Sequence, residues 1–415
     1  MGPVVFVMVG LVLLSPAIAQ APEPARGDEA VPQMLRDAAL RGDETFKYRI
    51  MVDKVYITLD GLTEEADYRR HAEMGFNVLC PRWIDKDLDV FEQAAALAAR
   101  HGMYSMFWLR GSLSSGWGSP QFVHRNGVSY DILSPNSEEL WQVLEDRILA
   151  AARLSQSLPV LGVFLDFEKY ARQPGGFVGH CYPLSYDAKI LGEFAEARNL
   201  TLPELQPDER APWLEANDLH DAFREFQIDS WRTRVRAIRE QVDRLNPRFQ
   251  FAIYPSSFTL FVNEVVWTEL GTEQAPLIAA EHYTYGRGTP LKDIWPDYWR
   301  VSDDEGVALD VAYIRKMQRK YAGRVPHAVI GGIDPVVPGG EDPQFVARDV
   351  AAMSKVGDGF WVFYEGVQAD SRHGQRFEAW WKVANEAIET GTFEVLTSVR
   401  TWNPHVAEEF LPHGE

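Results

Sequence analysis

Cysteine is almost absent from this chain: Cys80 and Cys181 are the two among 415 residues. That excludes a disulfide scaffold and a cysteine-zinc site, and leaves either one bridge, which an exported chain would permit, or two buried thiols. Positive charge is the next scarcity. Lys and Arg number 41 against 60 Asp and Glu, a formal net charge of −19. An acidic surplus of that size repels phosphate backbones and anionic lipid, so no nucleic-acid or membrane partner is expected, while neutral or cationic ligands remain open. Signature motifs are missing as well. The chain has no G-x-S-x-G elbow, no H-E-x-x-H, no H-x-H on its first candidate strand and no Walker loop, which leaves the corresponding hydrolase and nucleotide chemistries without support. His180, His282 and Asp334 stand at spacings unrelated to a metal site, so no metal or cofactor is expected.

Long apolar runs are confined to the N-terminus. Val4 to Leu14 is apolar, Ser15-Pro16 follows, and Ala17-Ile18-Ala19 forms a small-x-small cleavage site before Gln20. Residues 1–19 therefore read as a signal peptide, with a mature start near Gln20 and a secreted or periplasmic location. No Lys or Arg precedes the run, so an uncleaved anchor is the alternative, although the run is shorter than the ~20 residues of a spanning helix. Residues 20–43, rich in Pro, Ala and charge, read as a linker or irregular lead-in, and 396–415 as a tail.

What is plentiful is apolar and aromatic residue, at 46% and 12%, with 24% charged. This composition supports a large core and excludes disorder, and the length suits two domains or one elaborated barrel. Short apolar runs alternate with amphipathic stretches. The runs are Lys54 to Asp60, Asn77 to Trp83, Tyr104 to Arg110, Pro159 to Glu168, Gln250 to Pro255, Pro276 to Tyr285, His327 to Asp334 and Gly359 to Glu365. Helical patterns between them include Thr63 to Met74, Leu88 to His101, Ser137 to Ala152, Leu219 to Leu245, Leu309 to Tyr321, Gln344 to Lys355 and Arg376 to Ile388, with Gly75, Gly102 and Gly323 as stops. Eight repeats of this alternation predict an α/β fold of the (β/α)8 TIM-barrel type over residues 44–395, with insertions after strands 4 and 6. A doubly wound open sheet is the other topology, disfavoured because no Gly-rich dinucleotide loop follows the first run.

Barrel enzymes work at the carboxyl ends of their strands, so those ends supply the candidates. They carry Asp60; Arg82 and Trp83; Trp108 and Arg110; Asp166 and Glu168; Tyr254; Glu281, His282 and Tyr283; Asp334; and Tyr364 and Glu365. Asp60 and Asp334 read more simply as caps or loop acids. Aromatics crowd the same region, with Trp117, Tyr170, Tyr182, Tyr285 and Trp295 in the loops, and flat faces with polar rims suit sugar rings. Gly331-Gly332 and Gly339-Gly340 would admit a ligand close to the backbone or make turns.

Leu161-Gly162-Val163-Phe164-Leu165-Asp166-Phe167-Glu168 is the sharpest signal. Alternation points Phe164, Asp166 and Glu168 one way and Val163, Leu165 and Phe167 the other. The apolar set faces the helices, leaving two carboxylates at the barrel mouth, where their repulsion raises one pKa toward that of a general acid. A carboxylate pair held by Arg82 or Arg110 in a buried ion network is the structural alternative. Glu281, sharing a face with Tyr283 and with Leu277 and Ala279 taken as interior residues, is the candidate second carboxylate, and Glu365 the reserve.

A D-x-E on the fourth strand of a barrel resembles the chitinase-like glycoside hydrolases, through Gly162, Asp166 and Glu168. Leu161 and Phe164 stand where that family has further acids, and Tyr364 where it has a Trp, while Tyr283 matches its sixth-strand Tyr. The resemblance implies Glu168 as proton donor and Asp166 as its partner, in a secreted glycoside hydrolase acting on an oligo- or polysaccharide. Substrate contacts then fall to Arg82, Trp83, Trp108, Arg110, Tyr170, Tyr254, His282, Tyr283, Asp334, Tyr364 and Glu365. A non-catalytic carbohydrate-binding barrel and an amide or ester hydrolase using the same carboxylates are the alternatives.

Overall fold

A computed structural model describes residues 34, 46–53, 65–83, 88–167, 171–173, 176–178, 183–254, 259–281, 304–333, 343–364 and 374–392. Eight parallel strands close on one another: β1 Tyr48–Asp53, β2 Val78–Trp83, β3 Tyr104–Arg110, β4 Val160–Asp166, β5 Gln250–Tyr254, β6 Leu277–Glu281, β7 His327–Ile333 and β8 Gly359–Tyr364. Closure is set by β1, whose Ile50 is in register with Trp361 of β8 on one side and Val78 of β2 on the other. Across the N-terminal end of the barrel, Gln250 Nε2 donates to the Tyr48 hydroxyl at 2.8 Å, joining strands that stand opposite in the ring.

Each strand is buried on both faces, which a barrel sheathed in helices requires. Ile50, Val52, Val78, Cys80, Met106, Trp108, Phe164, Ala252, Tyr254, Ile278, Ala280, Ile330 and Trp361 pack inside. Met51, Leu79, Phe107, Val163, Leu165, Phe251, Ile253, Leu277, Ala279, Val329, Phe360 and Val362 pack outward against helices. Bulk at Trp108 and Trp361 is balanced by Ala252 and Ala280, so large and small side chains share the closed interior. Cys80 is a free thiol in this interior, where burial raises its pKa well above the ordinary value; Cys181 lies outside the described residues.

Gly162 has a specific geometric task. A Cβ there would stand 1.9 Å from the Gln250 carbonyl oxygen, so only glycine lets β4 and β5 approach. Nearby the β3–β4 register shifts, Ser105 pairing with Val160 but Met106 with Gly162. That bulge lets both Leu161 and Phe164 point inward although they are three residues apart.

The helices are α1 Glu65–Glu73, α2 Leu88–Arg100, α3 Glu138–Leu154, α4 Ala188–Ala197, α5 Arg210–Ala216, α6 His220–Leu245, α7 Asp304–Tyr321, α8 Pro343–Val356 and α9 Gly374–Thr390, and all but α5, which lies in a charged stretch after β4, fall where helical patterns are expected. Ser137 caps α3 and Asp187 caps α4, each accepting a backbone N–H of the first turn. Among the described residues no helix is long and apolar enough to cross a membrane.

Two features depart from expectation. The first strand is Tyr48–Asp53, not Lys54 to Asp60, which lies outside the described residues together with Asp60. Apolar residue continues through both segments, and only the double register with β2 and β8 selects the earlier one. The chain after β3 also holds an unforeseen insertion, a 3₁₀ turn at Ser115–Trp117 and a hairpin of Gln121–Val123 with Ser129–Leu133. After β4 come a second hairpin, Ala171–Gln173 with Gly176–Val178, and helices α4 to α6. The segment after β6, 282–303, lies outside the described residues.

A buried polar hub ties these insertions to the barrel. Asn136, just before α3, accepts the Trp231 indole N–H at 2.8 Å and donates to the Asp187 carboxylate at 3.0 Å. Ser134 and Ser185 donate to the same Asp187 oxygen at 2.6 and 2.8 Å. One carboxylate thus gathers groups from the β3 insertion, α3 and the approach to α4, which holds the elements over the barrel mouth in one arrangement.

Candidate active site

Arg110, Asp166 and Tyr254 end β3, β4 and β5 and stand side by side in register. Asp166 is fully buried, and its Oδ2 lies 2.9 Å from Arg110 Nη1. The guanidinium compensates a charge that the interior would otherwise not accept. One step deeper, Trp108 is in register with both Arg82 and Phe164, and the Arg82 guanidinium sits 5.7 Å from the Trp108 ring centroid.

Aromatic rings continue the floor of the mouth. Trp108 and Phe164 are 5.8 Å apart between centroids, Phe164 and Trp361 5.4 Å, and Tyr254 and Trp361 5.0 Å. Trp361 also donates its indole N–H to the Glu281 backbone carbonyl at 3.1 Å. This residue was not among the sequence candidates. Its signal was Gly332: a Cβ there would stand 2.4 Å from the Trp361 ring. The glycine pair lies within β7 and makes room for side chains, Gly331 for Met353 and Gly332 for Trp361, rather than for a ligand or a turn.

The orientation expected for Glu281 is overturned. Its carboxylate points away from the mouth into the helix layer, where it accepts the Tyr313 hydroxyl at 2.6 Å and the Tyr321 hydroxyl at 2.7 Å, both from α7. Leu277 and Ala279 share that outer face, and Ile278 and Ala280 are the interior residues of β6. With both faces of the strand apolar, composition carries no phase, and the assignment inverted. Glu281 is fully buried and latches the end of β6 to α7. Lys320, lowered in pKa by burial, feels the Glu281 charge as a partly opposing influence.

Asp166, Arg110, Arg82, Trp108 and Tyr254 are thus brought together. Trp83 and Tyr364 end β2 and β8, with side chains outside the description. Glu168, Tyr170, His282, Tyr283, Asp334 and Glu365 lie outside the described residues, as do His180, Tyr182, Tyr285, Trp295, Gly339 and Gly340. Trp117 is exposed on the β3 insertion, with Arg147 of α3 at 5.8 Å from its ring. Among the described residues no group of three His, Cys, Asp or Glu could hold a metal ion.

No protein-family model matches the chain, and no curated protein matches it. Among solved structures it is similar to an endo-beta-1,4-mannanase from Thermotoga petrophila, at 10% identity over 85% of this chain and 78% of that one, TM-score 0.47. It is also similar to the catalytic domain of a beta-amylase from Paenibacillus polymyxa, at 10% identity over 81% of this chain and 98% of that one, TM-score 0.43. A truncated 3-deoxy-D-arabino-heptulosonate 7-phosphate synthase from Thermotoga maritima matches at 10% identity over 84% of this chain and 87% of that one, TM-score 0.35. The barrel itself stands on the closed strand order.

Proposed function

We propose that the barrel is an exported glycoside hydrolase acting on an oligo- or polysaccharide, with Glu168 as general acid/base and Asp166 as the charged group beside it. The observation that carries this reading is Asp166 itself, a buried, inward-facing carboxylate at the end of β4, compensated by Arg110 and floored by aromatic rings. A group held as half of an ion pair is suited to orient and to stabilise positive charge, and the proton then comes from the second carboxylate of the D-x-E. Trp108, Tyr254 and Trp361 are packed beneath that charge and give it a rigid apolar floor.

Turning Glu281 outward favours a route that needs no second protein carboxylate. In it, the substrate's acetamido oxygen attacks C1 as the glycosidic bond breaks, and Glu168 passes its proton to the leaving oxygen. Asp166 holds the acetamido group and its developing charge. Water then attacks C1, Glu168 takes a proton from that water, and the C1 bond to the acetamido oxygen breaks, restoring every group.

The test is a glycan panel hydrolysed by the purified protein, with product anomers followed by NMR, alongside Glu168→Gln. Turnover confined to glycans bearing an acetamido group and lost in Glu168→Gln supports the reading. Turnover on unsubstituted glucans moves the nucleophile to a protein carboxylate, with Glu365 first in line. Binding without turnover on any glycan favours the carbohydrate-binding barrel.

A further inference from the structure

A cavity of about 480 Å³ opens among the insertions, within the ~300–1,000 Å³ usual for small-molecule sites. The segments that line it follow the carboxyl ends of β3, β4 and β5, so it stands on the same end of the barrel as Asp166. Its polar lining is distinctive. His124 and Arg125 come from the tip of the 121–133 hairpin and His220 from the start of α6, and among the described residues no acidic side chain lines the cavity. Arg125 is the one permanent cation among the described lining residues, in a chain of net charge −19.

Each histidine has one ring nitrogen committed. His124 Nδ1 lies 2.9 Å from Asn126 Oδ1, an oxygen that also accepts the Val128 N–H at 3.2 Å. The Asn126 backbone N–H also reaches His124 Nδ1, at 3.4 Å, so Nδ1 is the nitrogen engaged within the turn. Tyr186 stacks on His220, with centroids 6.1 Å apart and planes at 26°, and its hydroxyl stands 2.7 Å from His220 Nε2. Either group can donate in this bond, and burial raises the Tyr186 pKa. On the other side of the ring, Asp221 is 4.0 Å from His220 Nδ1 and fully exposed, too distant for a hydrogen bond.

Two further donors complete the set. Thr259 Oγ1 accepts the Val262 N–H at 3.3 Å, which leaves its own O–H to donate elsewhere. Arg125 is paired with Glu215 of α5, and both are exposed, so a bound anion can share or replace that partner. Leu184 and Leu260 give the cavity an apolar wall. An arginine, two histidines and a hydroxyl beside an apolar wall match a sugar ring that carries a negative substituent.

We propose that this cavity is a subsite for an acidic sugar residue, whose carboxylate or sulfate is held by Arg125 and His220 while its ring lies against Leu184 and Leu260. The inference rests on the glycoside-hydrolase reading, and makes the substrate a polyanionic glycan. The remote residue, held here, orients the chain so that a linkage is presented to Asp166 and Glu168.

The test is NMR titration of the wild type and of Glu168→Gln with glucose, glucuronic acid and glucose 6-sulfate, following the histidine ring signals. At least one acidic sugar is expected to bind about tenfold or more tighter than glucose, with His124 and His220 signals shifting. The better of the two names the anion. Arg125→Gln, at an exposed position, is expected to remove that preference at unchanged melting temperature, and His220→Leu to weaken binding further. Equal affinity for glucose and both acidic sugars, no binding of any of them, or a preference that survives Arg125→Gln would overturn the proposal. Acidic-sugar binding by a protein that hydrolyses no glycan would remove the hydrolase reading and leave the subsite standing.

Discussion

Asp166 and Glu281 hold equivalent places, each the last residue of a barrel strand and each fully buried, yet they face opposite ways. Asp166 points into the mouth and is compensated by a full positive charge on Arg110. Glu281 points into the helix layer and is satisfied by two neutral hydroxyls, from Tyr313 and Tyr321. The difference teaches that a carboxylate at a strand end is not by itself a catalytic signal. An ion pair sets a fixed charge at the carboxyl end of the barrel, whereas a carboxylate capped by tyrosines fastens a strand to a helix.

The largest effect that sharpens this contrast is expected beside Asp166. Glu168→Gln keeps shape but removes the acid, so kcat should fall by roughly 10²–10⁴ with ligand binding retained. Glu281→Gln should leave the chemical step nearly unchanged and act on stability instead. Steady-state kinetics on both variants checks the pair, and equal losses of kcat would break the comparison.

Arg110→Met tests the ion pair. Removing one partner of a buried pair costs about 3–5 kcal/mol, so urea unfolding should show a loss of that order. A loss confined to a few tenths would mean that Asp166 is compensated elsewhere.

At the other end of the contrast, Tyr313→Phe and Tyr321→Phe each delete one hydrogen bond to a carboxylate. Each should lower stability by about 1.5–3 kcal/mol. The double variant should fall short of the sum, because both hydroxyls serve one group. Additive losses in a double-mutant cycle would dissolve the latch.

An effect that depends on pH comes from a buried group with no place at the mouth. Burial holds His71 of α1 neutral, with a pKa of about 3 instead of 6.5. The unfolded chain therefore binds a proton that the folded one refuses. Stability from this group is complete above pH 6.5 and drains as pH falls toward 3, by at most about 1.4 kcal/mol per unit. His71→Leu should flatten the pH dependence of urea unfolding between pH 6 and 4, and an unchanged slope would show that His71 is charged when folded.

Most strands and helices were legible in the sequence, because an apolar run or a 3.6-residue stripe is a local property of the chain. β3 was delimited in full, and α3 and α6 within a residue or two. The inward phase of Asp166 was legible too, since polar Asp166 and apolar Val163 and Leu165 distinguish the faces of β4. Trp361 was not, being an aromatic among apolar neighbours whose inward position depends on the space at Gly332. The hairpin after β3 escaped because its strands are short and its stability comes from the elements it packs on.

By itself, the sequence determined the alternation of strand and helix, the D-x-E that closes the fourth apolar run and the acidic charge balance, all of which are read along the chain without its folding. The tertiary structure alone decided where β1 begins, which way Glu281 faces and that Arg110 meets Asp166. Those outcomes depend on partners brought from distant segments. A strand buried on both sides has no amphipathic stripe to announce its faces, so its orientation is settled only when the barrel closes and the helices pack around it.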